Sequence, residues 1–170
     1  MPENTHLRRF LLTLILACAA TLSACQKPEQ TLSDAVRNLT FYTLTGDTLS
    51  LATIEEPVLV NFWATDCAIC IHEMPELAEV YRHYQPLGFT LVAVAMPYDA
   101  PNHVLEMAER EQWPFPVALD ITGEAVKSFE SVKGTPTSYL LDENGKLVER
   151  YIGAIPIDKL RLSLDQLVAN

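Results

Sequence analysis

Two cysteines three residues apart, Cys67 and Cys70, are the side chains best suited to chemistry in this chain. Positions three apart on a helix lie on one face, so the two sulfurs can meet as a disulfide or as a dithiol. They follow an apolar, β-branched run, Val58 to Trp63 (VLVNFW), and open a segment with helical spacing. Cys67 is thereby placed at a helix start, beside unsatisfied N–H groups and the positive end of the helix dipole. That setting stabilises a thiolate and lowers a thiol pKa. Cys67 is the expected nucleophile. Cys70, one turn in and less exposed, is the expected resolving thiol that breaks a mixed disulfide. The alternatives are a structural disulfide and half of a zinc site. Zinc asks for four protein ligands, or three and a water. With His72, His83 and His103 scattered along the chain, no metal is expected, and thiol chemistry needs no other cofactor.

The elements that must position this pair alternate between strands and helices. Phe41 to Leu44 reads as a short strand followed by a Thr45-Gly46-Asp47 turn. Val58 to Trp63 and Phe89 to Ala95 read as buried strands, too uniformly apolar to have one wet face. Between them, from Cys67 to about Tyr84, apolar residues recur every three or four positions. Pro75 inside that segment predicts a kink. Further helices are expected over Asn102 to Trp113, after Pro101 as a first-turn residue, and over Gly123 to Phe129. Pro116 to Leu119 and Thr137 to Leu141 are expected strands. Glu143-Asn144-Gly145-Lys146 has the Asn-Gly centre of a hairpin turn, with Leu147 to Ile152 returning. Ile157 to Val168 carries Leu160, Leu164 and Leu167 on one stripe, as a terminal amphipathic helix does. Strands joined through helices are parallel and covered on both faces, and the final hairpin adds an antiparallel pair. The expected class is α/β, a central mixed β-sheet with helices on both faces.

The amino-terminal residues bear on the compartment. Arg8 and Arg9 precede an apolar run, Phe10 to Ala20, about half as long as the roughly 20 residues a membrane-spanning helix needs. A charged start and a short apolar middle fit a secretory signal. The segment ends in Leu22-Ser23-Ala24-Cys25, which resembles a bacterial lipobox. The resemblance implies cleavage after residue 24 and acylation of Cys25, and Gln26 after the cysteine leans toward the outer membrane. Residues 1–24 are then the signal and 25–33 the lipidated cysteine with a polar tether. Residues 34–170 form a single domain close to the membrane, since eight extended residues reach at most roughly 25–30 Å. Of the four cysteines, Cys18 leaves with the signal and Cys25 carries lipid, so one candidate pair remains. One pair is too few for a disulfide-stapled scaffold. The whole chain has 12 Lys+Arg against 22 Asp+Glu; removing Arg8, Arg9 and Glu3 leaves 10 against 21, a net charge of −11. That balance argues against nucleic acid, which rewards a basic footprint. A monomer is expected.

The run Val60-Asn61-Phe62-Trp63-Ala64-Thr65-Asp66-Cys67-Ala68-Ile69-Cys70 resembles the active-site strand and helix start of the thioredoxin superfamily. Within it, the chain is most similar to the TlpA/ResA-like group of membrane-tethered periplasmic reductases. Glu73-Met74-Pro75, Phe115 to Asp120 and Gly134-Thr135-Pro136-Thr137 match that group's later landmarks. The resemblance implies a thioredoxin fold and a protein-disulfide oxidoreductase, with a reductase as the expected direction. It implies a substrate-binding loop at Thr135-Pro136, with a cis proline. It also implies an active-site carboxylate at Glu73, able to move protons between thiols, against the alternative of a solvated helix glutamate. The implied partners are disulfides of exported proteins, in cytochrome c maturation or in metal-site proteins. Two departures from the thioredoxin pattern bear on redox tuning. Asn61 stands where thioredoxins bury an aspartate, and Asp66 stands where a tryptophan usually precedes the first cysteine. A negative charge beside Cys67 opposes its ionisation, by about 0.5–1 pKa unit for a near-surface charge. A rival reading is a Cu(I)-binding metallochaperone, in which His103 or His72 would reach the cysteines. A lower one is a peroxidase, whose motif puts Thr three residues before the reactive cysteine, where this chain has Ala64. Cys25→Ser should leave the protein unprocessed or released from membranes, as read by fractionation and intact mass, and a mature wild-type chain without lipid would refute the anchor.

Overall fold

The computed structural model describes residues 34–129 and 132–169. The chain opens with a short helix α1 (Asp34–Arg37) and a hairpin of β1 (Thr40–Tyr42) and β2 (Thr48–Ser50). Then come β3 (Val58–Trp63), α2 (Ala68–Tyr84), a 3-10 turn (Gln85–Leu87), β4 (Thr90–Ala95), α3 (Pro101–Glu111) and β5 (Val117–Leu119). The chain continues through α4 (Glu124–Ser128), β6 (Thr137–Leu141), β7 (Leu147–Ile152) and α5 (Ile157–Val168). Five strands form one sheet in the order β5-β4-β3-β6-β7. β3, β4 and β5 run parallel, while β6 and β7 are antiparallel to their neighbours. The expected mixed sheet is the one observed.

β3 lies at the centre with every residue buried. Because side chains alternate across a strand, it feeds two cores. Leu59 and Trp63 face a cluster shared with α2, α3 and α5, which includes Cys70, Met74, Leu77, Val104 and Leu160. Val58, Val60 and Phe62 face the opposite cluster, with Val36 of α1 and Ala125 of α4. Asn61 falls between Leu59 and Trp63 and so shares the α2 face, the one polar residue of a strand that is otherwise apolar.

Several sequence expectations shift. The first strand is shorter than Phe41 to Leu44 and belongs to a hairpin whose second strand, β2, was not foreseen; neither was α1. Thr43 bridges to Ala118 and the Leu44 N–H donates to the Val117 carbonyl at 2.8 Å, so the hairpin is held against the edge strand β5. The third helix starts at Pro101 and stops at Glu111, because Gln112 takes a left-handed conformation at φ 53° and ends it. Pro75 lies inside α2 without interrupting the helix. The Asn-Gly turn forms as expected, with Gly145 at φ 74°. The Asp142 carboxylate accepts the Asn144 and Lys146 N–H groups, closing the loop from below. Among the described residues no helix is long and apolar enough to cross a membrane. The expected signal segment and Cys25 lie outside the described residues.

Candidate active site

β3 delivers its carboxyl end to the loop Ala64-Thr65-Asp66, and Cys67 then caps α2. Cys67 has extended backbone angles (φ −90°, ψ 98°), as an N-cap residue does. Its Sγ accepts the Cys70 N–H at 3.2 Å, taking one of the donors a helix leaves unpaired at its start. The two sulfurs are joined as a disulfide with the Cα atoms 5.2 Å apart. The pair is asymmetric: Cys67 is half-buried, while Cys70 is 0% exposed within the α2 core. The approach to Cys67 is pinned from the neighbouring strand. Asp99, in the loop after β4, accepts the Thr65 N–H at 2.6 Å and the Thr65 hydroxyl at 2.7 Å. Asp66, next along, is exposed.

One helical turn beyond Cys70 begins a buried polar cluster. Glu73, three residues beyond Cys70 on the same helix face, is only 4% exposed, which rules out a solvated helix glutamate. Its Oε1 accepts from Asn61 Nδ2 at 3.1 Å, and its Oε2 accepts the Ile155 N–H at 3.1 Å. Asn61 Nδ2 also donates to Ser138 Oγ at 2.9 Å. These partners come from β3, β6 and the turn after β7. Burial pushes the Glu73 carboxyl above its ordinary value. The Ile155 and Asn61 hydrogen bonds pull the other way, and the nearby Glu76 charge adds to the rise.

The third component is the loop before β6. The Thr135–Pro136 peptide bond is cis. Thr137 pairs with Phe62 across β3 and β6, so Pro136, one residue earlier, sits beside the carboxyl end of β3 from which the cysteine loop departs. On the other side, the Gly153 N–H donates to the Pro136 carbonyl at 2.9 Å. The rim is apolar and open: Ile69, between the cysteines, is 54% exposed, and Ile152, paired with Thr137, is 71% exposed.

The structure thus gathers Cys67, Cys70, Glu73, Asn61, Thr135 and Pro136 at one end of the sheet. His72 and His103 are exposed, and no three His, Cys, Asp or Glu side chains are placed to hold a metal ion among the described residues. Three contributors were not anticipated. Asp99 and Ile155 act through contacts more than thirty residues away in sequence. Ser138 differs in nothing visible from any small residue of a strand. Only the pairing of Asn61 with Ser138 in the sheet register brings it in.

A thioredoxin fold carrying a helix-capping CxxC disulfide, a buried carboxyl and a cis-proline loop defines a protein thiol–disulfide oxidoreductase. Comparison with known proteins places the chain within that class. Residues 31–164 match the Redoxin family, and the chain belongs to it. It is 31% identical to the thiol-disulfide oxidoreductase ResA of Bacillus cereus over 159 residues, covering 90% of this chain and 91% of that one. The crystal structure of StoA from Bacillus subtilis matches with a TM-score of 0.65 at 25% identity, over 73% of this chain and 93% of that chain. A thiol:disulfide interchange protein from Chlorobium tepidum matches in fold with a TM-score of 0.72 at 23% identity, over 85% and 99% of the two chains.

The raised Glu73 pKa has a consequence for stability. The folded state keeps its proton to a higher pH than the unfolded chain, so the native state binds more protons above the unfolded value. Stability contributed by this group is therefore complete below about pH 4.5 and is lost as pH rises through the folded value. Urea unfolding of wild type and Glu73→Gln across pH should show wild type losing stability relative to the variant upward from about pH 4.5 and then levelling. A pH-independent difference would show that Glu73 titrates alike in both states.

Proposed function

We propose that the protein is a membrane-tethered reductase of disulfides in exported proteins. The observation that carries the reading is the asymmetry of the pair: Cys67 is half-buried and its sulfur accepts an N–H, while Cys70 is fully buried, with an acid buried one turn further along the same helix. In the reduced state, the Cys67 thiolate attacks one sulfur of a substrate disulfide. A Cys67–substrate bond forms, and the other substrate sulfur leaves as a thiolate. Glu73 takes the Cys70 proton, and the Cys70 thiolate attacks Cys67 Sγ. The Cys67–Cys70 disulfide closes and the second substrate sulfur departs. Two electrons have moved to the substrate. Glu73 returns its proton to a departing thiolate, and solvent supplies the second proton, which Cys67 gave up on ionising.

Substrate docks against the Thr135–Pro136 loop and the apolar rim of Ile69 and Ile152. The lipobox-like Leu22 to Cys25 and the polar tether support attachment to the membrane by Cys25, facing the periplasm. The Gln26 position favours the outer membrane. The resemblance to the TlpA/ResA-like group supports apocytochromes c or metal-site proteins as substrates. The direction follows from the charges. A strongly stabilised thiolate makes an oxidant, because it stabilises the reduced form. Here Asp66 opposes ionisation, and Ala68 and Ile69 supply no cation between the cysteines.

The decisive experiment is capture. Cys70→Ser expressed in its native envelope should accumulate Cys67-linked mixed disulfides with exported proteins, identified by mass spectrometry. Finding none, while Cys67 remains alkylatable, would refute the reading. The poise is tested separately. Asp66→Asn should lower the Cys67 pKa by about 0.5–1 unit in a thiolate absorbance titration, and raise the reduction potential above that pKa in glutathione equilibration. An unmoved or raised pKa would remove Asp66 from the account.

A further inference from the structure

The Asn61 amide has one feature that the proposed chemistry leaves unused. It is 0% exposed and spends Nδ2 on both Glu73 and Ser138, yet its Oδ1 has no hydrogen-bond partner among the described residues. Buried polar atoms are normally paired, so this orphan calls for a reason.

The two states of Glu73 supply one. When ionised, the carboxylate accepts at both oxygens, from Asn61 Nδ2 and from the Ile155 N–H. When Glu73 holds a proton, the carboxyl must donate as well. The backbone N–H of Ile155 is a donor that cannot change character, so the proton belongs on Oε1. An O–H there would meet Nδ2, a second donor. The clash disappears if the amide turns over, because the two ends of an amide are nearly the same size and shape. Oδ1 then accepts from Glu73 and from the Ser138 hydroxyl, which serves as donor or acceptor by rotating. Among the described residues Oδ1 has no partner on the far side, so the turn breaks no bond there; it leaves the Nδ2 hydrogens facing that side, a cost set against the donor–donor clash it relieves at Oε1.

We infer that Asn61 is the positioning residue for the proton carried by Glu73: hinged on the Ser138 hydroxyl, it presents Nδ2 to the carboxylate and Oδ1 to the carboxyl. The inference rests on the reading that Glu73 carries a proton between thiols. It assigns a task to an asparagine in place of the aspartate of thioredoxins. An aspartate accepts only, and it would repel the carboxylate form of Glu73 rather than hold it.

Little else near the carboxyl titrates. β3 and β6 carry no Asp, Glu, Lys, Arg or His. The Tyr139 hydroxyl of β6 donates to the Phe129 carbonyl in the opposite core. Tyr151 of β7 shares the core of Cys70. Lys159 of α5 is paired with Glu149 of β7 at 2.8 Å. Glu76, on the same helix as Glu73, adds repulsion that disfavours the carboxylate.

The test is an NMR titration of the oxidised, uniformly 13C,15N-labelled full chain. The Glu73 carboxyl carbon reports its protonation, and contacts from the Asn61 side-chain amide protons to the Ser138 methylene report the amide's orientation. Those contacts should be present when Glu73 is ionised and lost when it is protonated, with one shared midpoint. Contacts that persist unchanged through the Glu73 midpoint make Asn61 a fixed donor and overturn the inference. A Glu73 carbon that never titrates overturns the proton-carrier reading, and the inference with it. In a second arm, Asn61→Asp keeps the shape and removes the donor. It should raise the Glu73 midpoint by at least about one unit, a tenfold loss of the ionised fraction, and move the pH profile of disulfide reduction with it. Unmoved values in a folded variant would again overturn the inference. The wild-type titration decides the matter even if the variant does not fold.

Discussion

The site depends on one constraint: an ionisable carboxyl, Glu73, is buried one helical turn beyond the resolving half of a reactive disulfide. A carboxylate taken out of water costs several kcal/mol unless its oxygens are paired. Pairing them here recruits three separate parts of the chain. Asn61 comes from the central strand, Ser138 supports it from the antiparallel neighbour, and the Ile155 N–H arrives from the turn after β7. The same turn region holds the Pro136 carbonyl through Gly153. The acid, the helix bearing the cysteines and the cis-proline loop are therefore one connected unit.

The environment divides the two cysteines. Cys67 stands at the helix start with an N–H aimed at its sulfur, and the Asp99 clamp on Thr65 fixes the loop that presents it. Cys70 lies in the core among Met74, Leu77 and Trp63, away from water. A thiol there is costly to ionise without a nearby base, and Glu73 is the only acid of α2 that is buried with it. In the proposed cycle, exposure serves the first step and burial the second. Asp66 stays outside this arrangement, exposed next to Cys67 in the chain.

Much of this was legible in the sequence because it depends on local rules. The CxxC after an apolar β-branched run, the spacing of α2 and the Asn-Gly hairpin all express short-range chemistry of the backbone. So does the leucine stripe of α5. The thiol chemistry followed directly, because helix position alone distinguishes Cys67 from Cys70. The β1–β2 hairpin carries no such local signal: its strands are three residues each and are held by contact with β5, not by their own pattern.

What only the tertiary structure decided was the state of Glu73 and its company. A helix glutamate three residues after a cysteine is compatible with solvent or with the core. The choice depends on what packs over that turn, here the chain after β7, some eighty residues on. Ser138 and Asp99 gain their roles from sheet register and loop approach, neither of which leaves a mark on neighbouring residues. Hydrogen-bond partners of a buried charge are set by long-range packing, and that is the part of the site a linear reading cannot supply.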